Sequence, residues 1–346
     1  MNLVEPAALR PSFAVPGSWR VAALAAAALV VLVAAIAFGG FRLDWHALFE
    51  ANAPSLPFDV LTRIRLPRVL LAATIGAGLA LGGVALQAIF RNPLADPGLL
   101  GIATGAAVAA GLAIVVFAPR ASVTGPWLVP LCAFGGALLV CRLALGVAGR
   151  AGGYDVALLL LVGIAINAIG GAALGFLLFV ADDTALRDFT FWTLGSLAGA
   201  SWQTVLPVLV AAVLAATVFF GAARPLNAFV LGERDAFYLG VDVERAKRRL
   251  VLGTSLWVGA SVAVSGLIGF VGLVVPHIAR FIVGPNHRLL LPAAALLGAT
   301  LLMGADLIAR TAVLPAELPV GIVTAALGAP AFLWLTLRHF RAAIRA

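Results

Sequence analysis

Residues 63–101 read RIRLPRVLLAATIGAGLALGGVALQAIFRNPLADPGLLG and decide the fold. The stretch opens with three arginines, carries no charge from 69 to 90, and closes on the proline-containing turns 92–93 and 96–98. An apolar helix of about 20 residues crosses about 30 Å of hydrocarbon. The stretch therefore predicts a transmembrane helix that begins on a cationic surface and ends in an irregular turn.

The rest of the chain repeats this pattern. Of 346 residues, 63% are hydrophobic and 11% are charged. Because soluble domains carry about 25% charged residues, a water-soluble globular protein is excluded. Apolar runs predict ten spans, at 20–40, 66–90, 99–118, 127–147, 157–180, 205–223, 250–266, 268–283, 291–309 and 319–337. Glycines four apart, as at Gly78 and Gly82, favour a compact all-α bundle because they let helices approach closely in lipid. Gly266 alone separates the seventh span from the eighth.

The charge distribution predicts the orientation. The chain has 23 Lys and Arg against 15 Asp and Glu, a net charge of +8. Ten spans put both termini on one side, and with both inside, 16 cationic residues lie at cytoplasmic ends and 7 outside. Cationic residues accumulate on the cytoplasmic side of membrane proteins. The balance therefore indicates an N-in, C-in topology rather than a nucleic-acid partner.

This sequence lacks the motifs of several enzyme classes. A chain that hydrolyses ATP needs a Gly-rich phosphate loop ending in Lys-Ser or Lys-Thr, whereas the single lysine, Lys247, lies in Arg-Ala-Lys-Arg. Cys132 and Cys141 fall on opposite faces of one helix, so no disulfide framework follows. The sequence predicts no enzyme activity, no metal site and no cofactor in this chain.

Arg65 and Arg68 flank Pro67 at the start of the second span. Proline fits the first turn of a helix, where its missing N–H costs nothing, so we expect this span to begin at Leu66 on the outer side. The two arginines are then neighbours on the helix surface and add charge to the positive end of its dipole. This site would attract carboxylates; the alternative is that the arginines anchor the helix to lipid headgroups.

At the inner end of the same span, two prolines interrupt the helix. Residues before Pro93 and Pro97 avoid helical backbone. Irregular backbone at membrane depth is tolerated only where it is buried in protein or lines a cavity. A gate and a plain tight turn both satisfy that condition.

The longest polar insertion, 224–249, mixes charges of both signs with apolar residues. This pattern predicts short amphipathic helices on the cytoplasmic face that bind a protein partner. The alternative is a solvated loop whose basic end faces anionic membrane lipid.

Together these segments resemble the FecCD-type permease family, the transmembrane subunits of binding-protein-dependent ABC importers for iron-siderophores, haem and cobalamin. The resemblance covers nearly the whole chain in six blocks, 65–68, 87–101, 232–241, 265–280, 305–310 and 317–321. It implies one transmembrane permease domain over 1–346 in the inner membrane of a bacterium, with a cytoplasmic coupling loop at 224–249. It also implies a second copy around a central pathway, two ATP-binding subunits that hold ATP and Mg, and a periplasmic substrate-binding protein.

The same resemblance implies roles for individual residues. Arg65, Arg68 and Arg310 match positions that meet acidic residues of the binding protein; a pair with Asp306, four residues earlier, is the alternative for Arg310. The positions that match an inner gate are Asn92 and Leu94. Those that match the helices docking on the ATPase are Gly232, Glu233, Ala236, Leu239 and Gly240. Family members can carry small polar residues at a second inner gate, whereas 155–157 read Asp-Val-Ala, so that gate is left unassigned.

One further stretch bears on the substrate. Residues 188–197 resemble haem permeases, and the haem-ligating residue types offered by the spans are few: Cys132, Cys141, His277 and Met303. We therefore expect a haem pathway that does not coordinate iron, with an iron-siderophore or cobalamin as the alternative. The competing class is an ion-coupled secondary transporter. Such proteins need ionisable residues at mid-membrane depth, where this sequence places none.

Overall fold

The computed structural model describes residues 17–41, 56–117, 126–150 and 154–344, and these residues form helices and loops without a strand. The thirteen helices within these ranges are α1 (Gly17–Ala37), α2 (Leu56–Ile89), α3 (Ile102–Phe117), α4 (Leu128–Arg150), α5 (Val156–Val180), α6 (Asp183–Thr193), α7 (Trp202–Gly221), α8 (Ala223–Phe229), α9 (Glu233–Tyr238), α10 (Val243–Ser265), α11 (Val271–Val283), α12 (His287–Ala309) and α13 (Val320–Ile344). The all-α prediction is confirmed.

Ten of these helices coincide one to one with the predicted spans; α6, α8 and α9 are short additions. Six are long and apolar enough to cross a membrane: α1, α2, α4, α5, α7 and α12. Three shorter apolar helices lie at 102–117, 271–283 and 320–334. The boundary at Gly266 is confirmed, because α10 ends at Ser265 and Gly266 turns the chain with a φ of +68°.

The second span begins earlier than predicted. Helix α2 starts at Leu56, and residues 60–65 form a π-helical turn within it. The N–H of Leu66 bonds to the carbonyl of Leu61, five residues back. This wider turn accommodates Pro67, which lacks an N–H, inside a continuous helix. The neighbouring arginines therefore lie within a helix, and the prediction that they add to the positive end of its dipole is wrong.

Helix α2 forms the core of the bundle and packs against α10, α11 and α12. Gly76 of α2 lies against Gly298 of α12: a Cβ at Gly76 would come 2.1 Å from the carbonyl oxygen of Gly298. A Cβ at Gly78 would come 2.3 Å from the indole nitrogen of Trp257 in α10. Small residues at these crossings allow the close packing on which helix association in lipid depends.

Helix α12 defines two ends of the bundle. Helix α1 begins beside the start of α12, where Arg20 Nη1 donates to the carbonyl of Ile282 at 2.6 Å. Helix α13 begins near the opposite end, where Leu318 N–H donates to the carbonyl of Ala309 at 2.9 Å. The first and last described helices therefore have their chain termini at one end, as an N-in, C-in topology requires. We call this the inner end. The orientation count also includes Arg10, Arg42, Arg120 and Arg345, which lie outside the described residues.

Candidate functional site

The three predicted outer arginines do come together, around the last turn of α1 at the outer end. Arg65 Nη1 donates to the carbonyls of Ile36 and Ala37, each at 2.7 Å. These are carbonyls that the end of a helix leaves without an intrahelical partner. Only 3% of Arg65 is exposed, so this arginine caps α1 from inside the bundle.

Arg68 and Arg310 share the buried carboxylate of Asp306. Arg68 Nε lies 2.9 Å from Asp306 Oδ1, and Arg68 Nη1 lies 2.8 Å from Glu317 Oε2. Arg310 Nε lies 3.5 Å from Asp306 Oδ2, too far for a good hydrogen bond, while the Arg310 guanidinium also donates to the carbonyl of Ala35. Asp306 is 1% exposed. The outer cluster is therefore an internal ion-pair network, and the alternative pairing of Arg310 with Asp306 is present.

This burial corrects the premise of the docking prediction. Arg65, Arg68 and Arg310 are 3%, 6% and 5% exposed, so their guanidinium groups are not displayed at the surface of this structure. Internal carbonyls and carboxylates already accept their hydrogen bonds, because an unpaired buried charge would be costly. Contact with a binding protein stays a prediction.

The predicted gate residues lie in the gate loop, residues 91–101, at the inner end. Asn92 is exposed, and Leu94 is 48% exposed. Asn92 Oδ1 accepts a hydrogen bond from Leu94 N–H at 2.9 Å, which forms a tight local turn. Both side chains are thus available to close a passage, although a plain turn would have the same geometry.

Two contacts hold the gate loop to the bundle, and a third closes a turn within the loop. His277 Nε2 of α11 lies 2.8 Å from the carbonyl oxygen of Pro93, and Asn167 Nδ2 of α5 donates to the carbonyl of Gly98 at 3.1 Å. Asp96 Oδ1 accepts from Gly98 N–H at 2.8 Å. Burial raises the pKa of the Asp96 carboxyl, and this N–H lowers it in part. The loop is therefore restrained from both α5 and α11.

The coupling segment, residues 231–241, also lies at the inner end, next to the gate loop. A Cβ at Gly232 would come 3.5 Å from Arg91 Nη1. The predicted short helices in 224–249 are present as α8 and α9. The solvent-facing surface of the segment carries exposed apolar side chains: Leu231 62%, Phe237 68%, Tyr238 77% and Leu239 54%.

The five predicted coupling positions differ in exposure. Leu239 and Gly240 are exposed, as contact with a partner requires. Gly232 and Ala236 are buried and support the segment from inside, so they do not themselves offer a docking surface. Glu233 is half-buried and pairs within the chain.

Sequence reasoning missed the role of the only lysine. Lys247 of α10 is 2% exposed; its Nζ lies 2.6 Å from Glu233 Oε2 and donates to the carbonyl of Tyr154 at 2.9 Å. Tyr154 directly precedes Asp155, whose side chain caps α5. Lys247 therefore joins the coupling segment to the start of α5. The sequence signal was a lone lysine among arginines, just before the predicted span 250–266.

Helix α5 exposes most of its apolar surface, including Leu161, Ile164 and Ile169 at 62%, 60% and 71%. Its polar exception, Asn167, accepts a hydrogen bond from Thr104 of α3 in addition to its contact with the gate loop. No group of three His, Cys, Asp or Glu residues that could hold a metal ion occurs among the described residues.

Ten helices match the predicted spans, one of them the buried helix α2, and an exposed apolar segment lies beside a restrained loop at one end; these features describe a multi-pass membrane protein. The model of the FecCD transport family matches residues 27–338. The chain belongs to the FecCD transport family. Members of this family are membrane subunits of ABC transporters, whose ATPase is a separate chain.

Individual relatives and a solved structure agree with this membership. The hemin transport system permease protein HmuU of Yersinia pestis is 47% identical over 90% of this chain and 93% of its own length. The vitamin B12 import system permease protein BtuC of Vibrio cholerae is 44% identical over 85% of this chain and 87% of its own. A solved structure described as an inward-facing metal-chelate type ABC transporter covers 93% of this chain and 99% of its own, with 31% identity and a TM-score of 0.83.

Proposed function

We propose that this chain is the permease subunit of a binding-protein-dependent ABC importer that carries haem across the inner membrane of a bacterium. The observation that carries the proposal is the 47% identity to a hemin permease over 90% of the chain. Haem is a large amphipathic ring, and the exposed face of α5 offers it an apolar surface with few polar side chains. A pathway of this kind binds weakly, which lets the substrate leave on the inner side.

The proposed path does not ligate iron. His277 already contacts the carbonyl of Pro93, and Met303 is 2% exposed. Cys141 is buried as well, and Cys132, which is half-buried, would be a lone ligand. The chain itself then needs no cofactor, and ATP with its Mg ion is held by the partner ATPase.

The proposed assembly contains two copies of this chain, two ATP-binding subunits and a periplasmic substrate-binding protein. The exposed apolar face of α5 is available to a second copy and to the pathway between the copies. The exposed residues of the coupling segment are available to the ATPase, and the gate loop beside it would respond to ATPase closure. The single permease domain over 1–346 and its coupling loop at 224–249 belong to the same proposal.

The test is transport in reconstituted vesicles that contain the permease, its ATPase and its binding protein. Haem uptake should require ATP and the binding protein, and should persist in the Met303→Leu and His277→Ala variants. ATP turnover by the highly purified chain alone would refute the proposal that a separate subunit hydrolyses ATP.

Cobalamin is the second candidate, because vitamin B12 permeases are 42–44% identical to this chain. The same vesicles separate the two candidates when each is loaded with its own binding protein. Uptake of cobalamin or of an iron-siderophore without uptake of haem would overturn the substrate assignment and leave the importer class intact.

A further inference from the structure

A cavity of about 600 Å³ opens at the inner end of the bundle between α7 and α10. The last turns of α7, the start of α8, residues 240–242 and the first turns of α10 form its walls. Its charged lining residues are Arg224, Arg245, Arg249 and Asp242. Three positive charges therefore face one negative charge.

The negative charge is already engaged locally. Asp242 Oδ1 accepts from the backbone N–H of Arg245 at 3.0 Å, and its Oδ2 lies 3.2 Å from Arg245 Nε. Within the described part of the chain, Arg224 and Arg249 form no side-chain hydrogen bond or ion pair. Two unpaired guanidinium groups in one concave surface attract an anion, and their planar forks match the oxygens of a phosphate.

The wall on the α7 side indicates where that anion comes from. Val210, Val213 and Leu214 are 62%, 63% and 55% exposed and form an apolar stripe along α7. The same helical face continues through Thr217 and Gly221, both of which line the cavity. An acyl chain lying on this stripe would bring its headgroup to the arginines, at the boundary between hydrocarbon and water.

We propose that this cavity binds the phosphate headgroup of an anionic phospholipid of the inner leaflet, with its acyl chains along α7. Basic pockets between helices on the cytoplasmic side are suited to such headgroups. Gly240 and Val241, at the end of the coupling segment, line the cavity. The bound lipid therefore restrains the coupling segment. The site does not depend on which substrate the permease carries.

The experiment measures lipid binding to the purified full-length chain in detergent by native mass spectrometry. The lipid probes are phosphatidylglycerol and phosphatidylcholine, and glycerol 3-phosphate is the soluble competitor. The test variant is Arg224→Gln/Arg249→Gln. Its matched control, Arg142→Gln/Arg248→Gln, removes two charges from exposed arginines that do not line the cavity.

Phosphatidylglycerol should bind about 30-fold more weakly to the test variant and change by less than about threefold in the control, since each arginine near the surface favours an anionic lipid. Phosphatidylcholine should bind all three proteins equally weakly. Equal losses in both double variants would overturn the site, because the attraction would then be diffuse. Competition by glycerol 3-phosphate at lipid-like concentrations would assign the cavity to a soluble anion instead. Displacement of the lipid by the ATPase partner would assign it to the protein interface.

Discussion

The outer arginine cluster and the inner coupling segment both match predicted docking positions, but their structures are opposite. In the sequence, both place charged residues next to an expected helix boundary. In the outer cluster, Arg65, Arg68 and Arg310 are buried against carboxylates and helix-end carbonyls. In the coupling segment, the side chains at positions 237–239 point away from the bundle and are more than half exposed. A charge near a helix end thus does not by itself identify a docking site. Whether the side chain has a partner inside the chain decides whether it is available to another protein.

The energetic consequence differs between the two regions. An ion pair in a low-dielectric interior must offset the desolvation of both groups, so removing one partner leaves an uncompensated charge. An exposed side chain is solvated before and after substitution, so its loss changes stability little. Substitutions in the outer cluster should therefore report on folding first, and those in the coupling segment on assembly.

The largest effect is expected for Arg68→Met. This change leaves Asp306 buried without its 2.9 Å partner and should lower the free energy of unfolding by about 3–5 kcal/mol. Thermal unfolding in detergent measures it. The matched control is Arg63→Met, because the side chain of Arg63 is 79% exposed and its pair with Asp59 should be worth about 0–1 kcal/mol.

A second variant keeps this prediction testable if Arg68→Met does not fold. In Arg68→Met/Asp306→Asn the buried negative charge is removed as well, so part of the lost stability should return. Equal destabilisation by Arg68→Met and Arg63→Met would contradict the internal network and would favour a surface role for Arg68. Charge reversal to Glu at Arg68 is a poor test of docking for the same reason.

The next effect is expected for Lys247→Met. Because Glu233 is half exposed, its loss of a partner should cost less, about 2 kcal/mol of unfolding free energy. The variant should also lower the amount of substrate moved per ATP hydrolysed, since Lys247 joins the coupling segment to the start of α5. Arg248→Met, at an exposed neighbour on the same helix, should change neither quantity. A stability loss with normal coupling would make Lys247 a structural residue only.

A smaller change in stability, but a large one in assembly, is expected for Phe237→Ser/Tyr238→Ser. Both side chains are more than two-thirds exposed, so the unfolding free energy should change by less than about 0.5 kcal/mol. Affinity for the ATPase subunit should fall about 30-fold, because exposed aromatic residues are frequent binding hot spots. Phe220→Ser, at an exposed apolar position on α7, is the control. Unchanged affinity would remove the coupling segment from the ATPase interface.

Much of the fold could be predicted because it depends on local sequence. Each span is an apolar run of sufficient length, and Gly266, with its positive φ, separates α10 from α11 as its position predicted. The short helices α8 and α9 followed from the mixture of charges and apolar residues in 224–249. Such features need no knowledge of distant contacts.

The burial of the candidate site residues could not be predicted in the same way. Arg68 contacts Asp306 and Glu317, which are 238 and 249 residues away along the chain. Arg65, in the π-helical turn before Pro67, donates to carbonyls of α1 that lie 28 and 29 residues earlier in the chain. Lys247 pairs with Glu233 across a loop whose path the composition does not specify. The local sequence pattern predicted which end of the bundle these residues occupy. It did not predict that their side chains are buried.

The smallest effect is expected in the gate loop, where the side chains of Asn92 and Leu94 are exposed while the backbone is restrained. Asn92→Ala removes the acceptor of Leu94 N–H and should leave thermal unfolding unchanged. The lost hydrogen bond, worth about 0.5 kcal/mol at an exposed site, should raise basal ATPase activity without binding protein about twofold, since the loop leaves its resting conformation more often. Asn92→Asp keeps the acceptor and should behave as wild type. If both variants raise the basal activity equally, the amide itself contacts the pathway or its partner, and the local turn is not what holds the loop at rest.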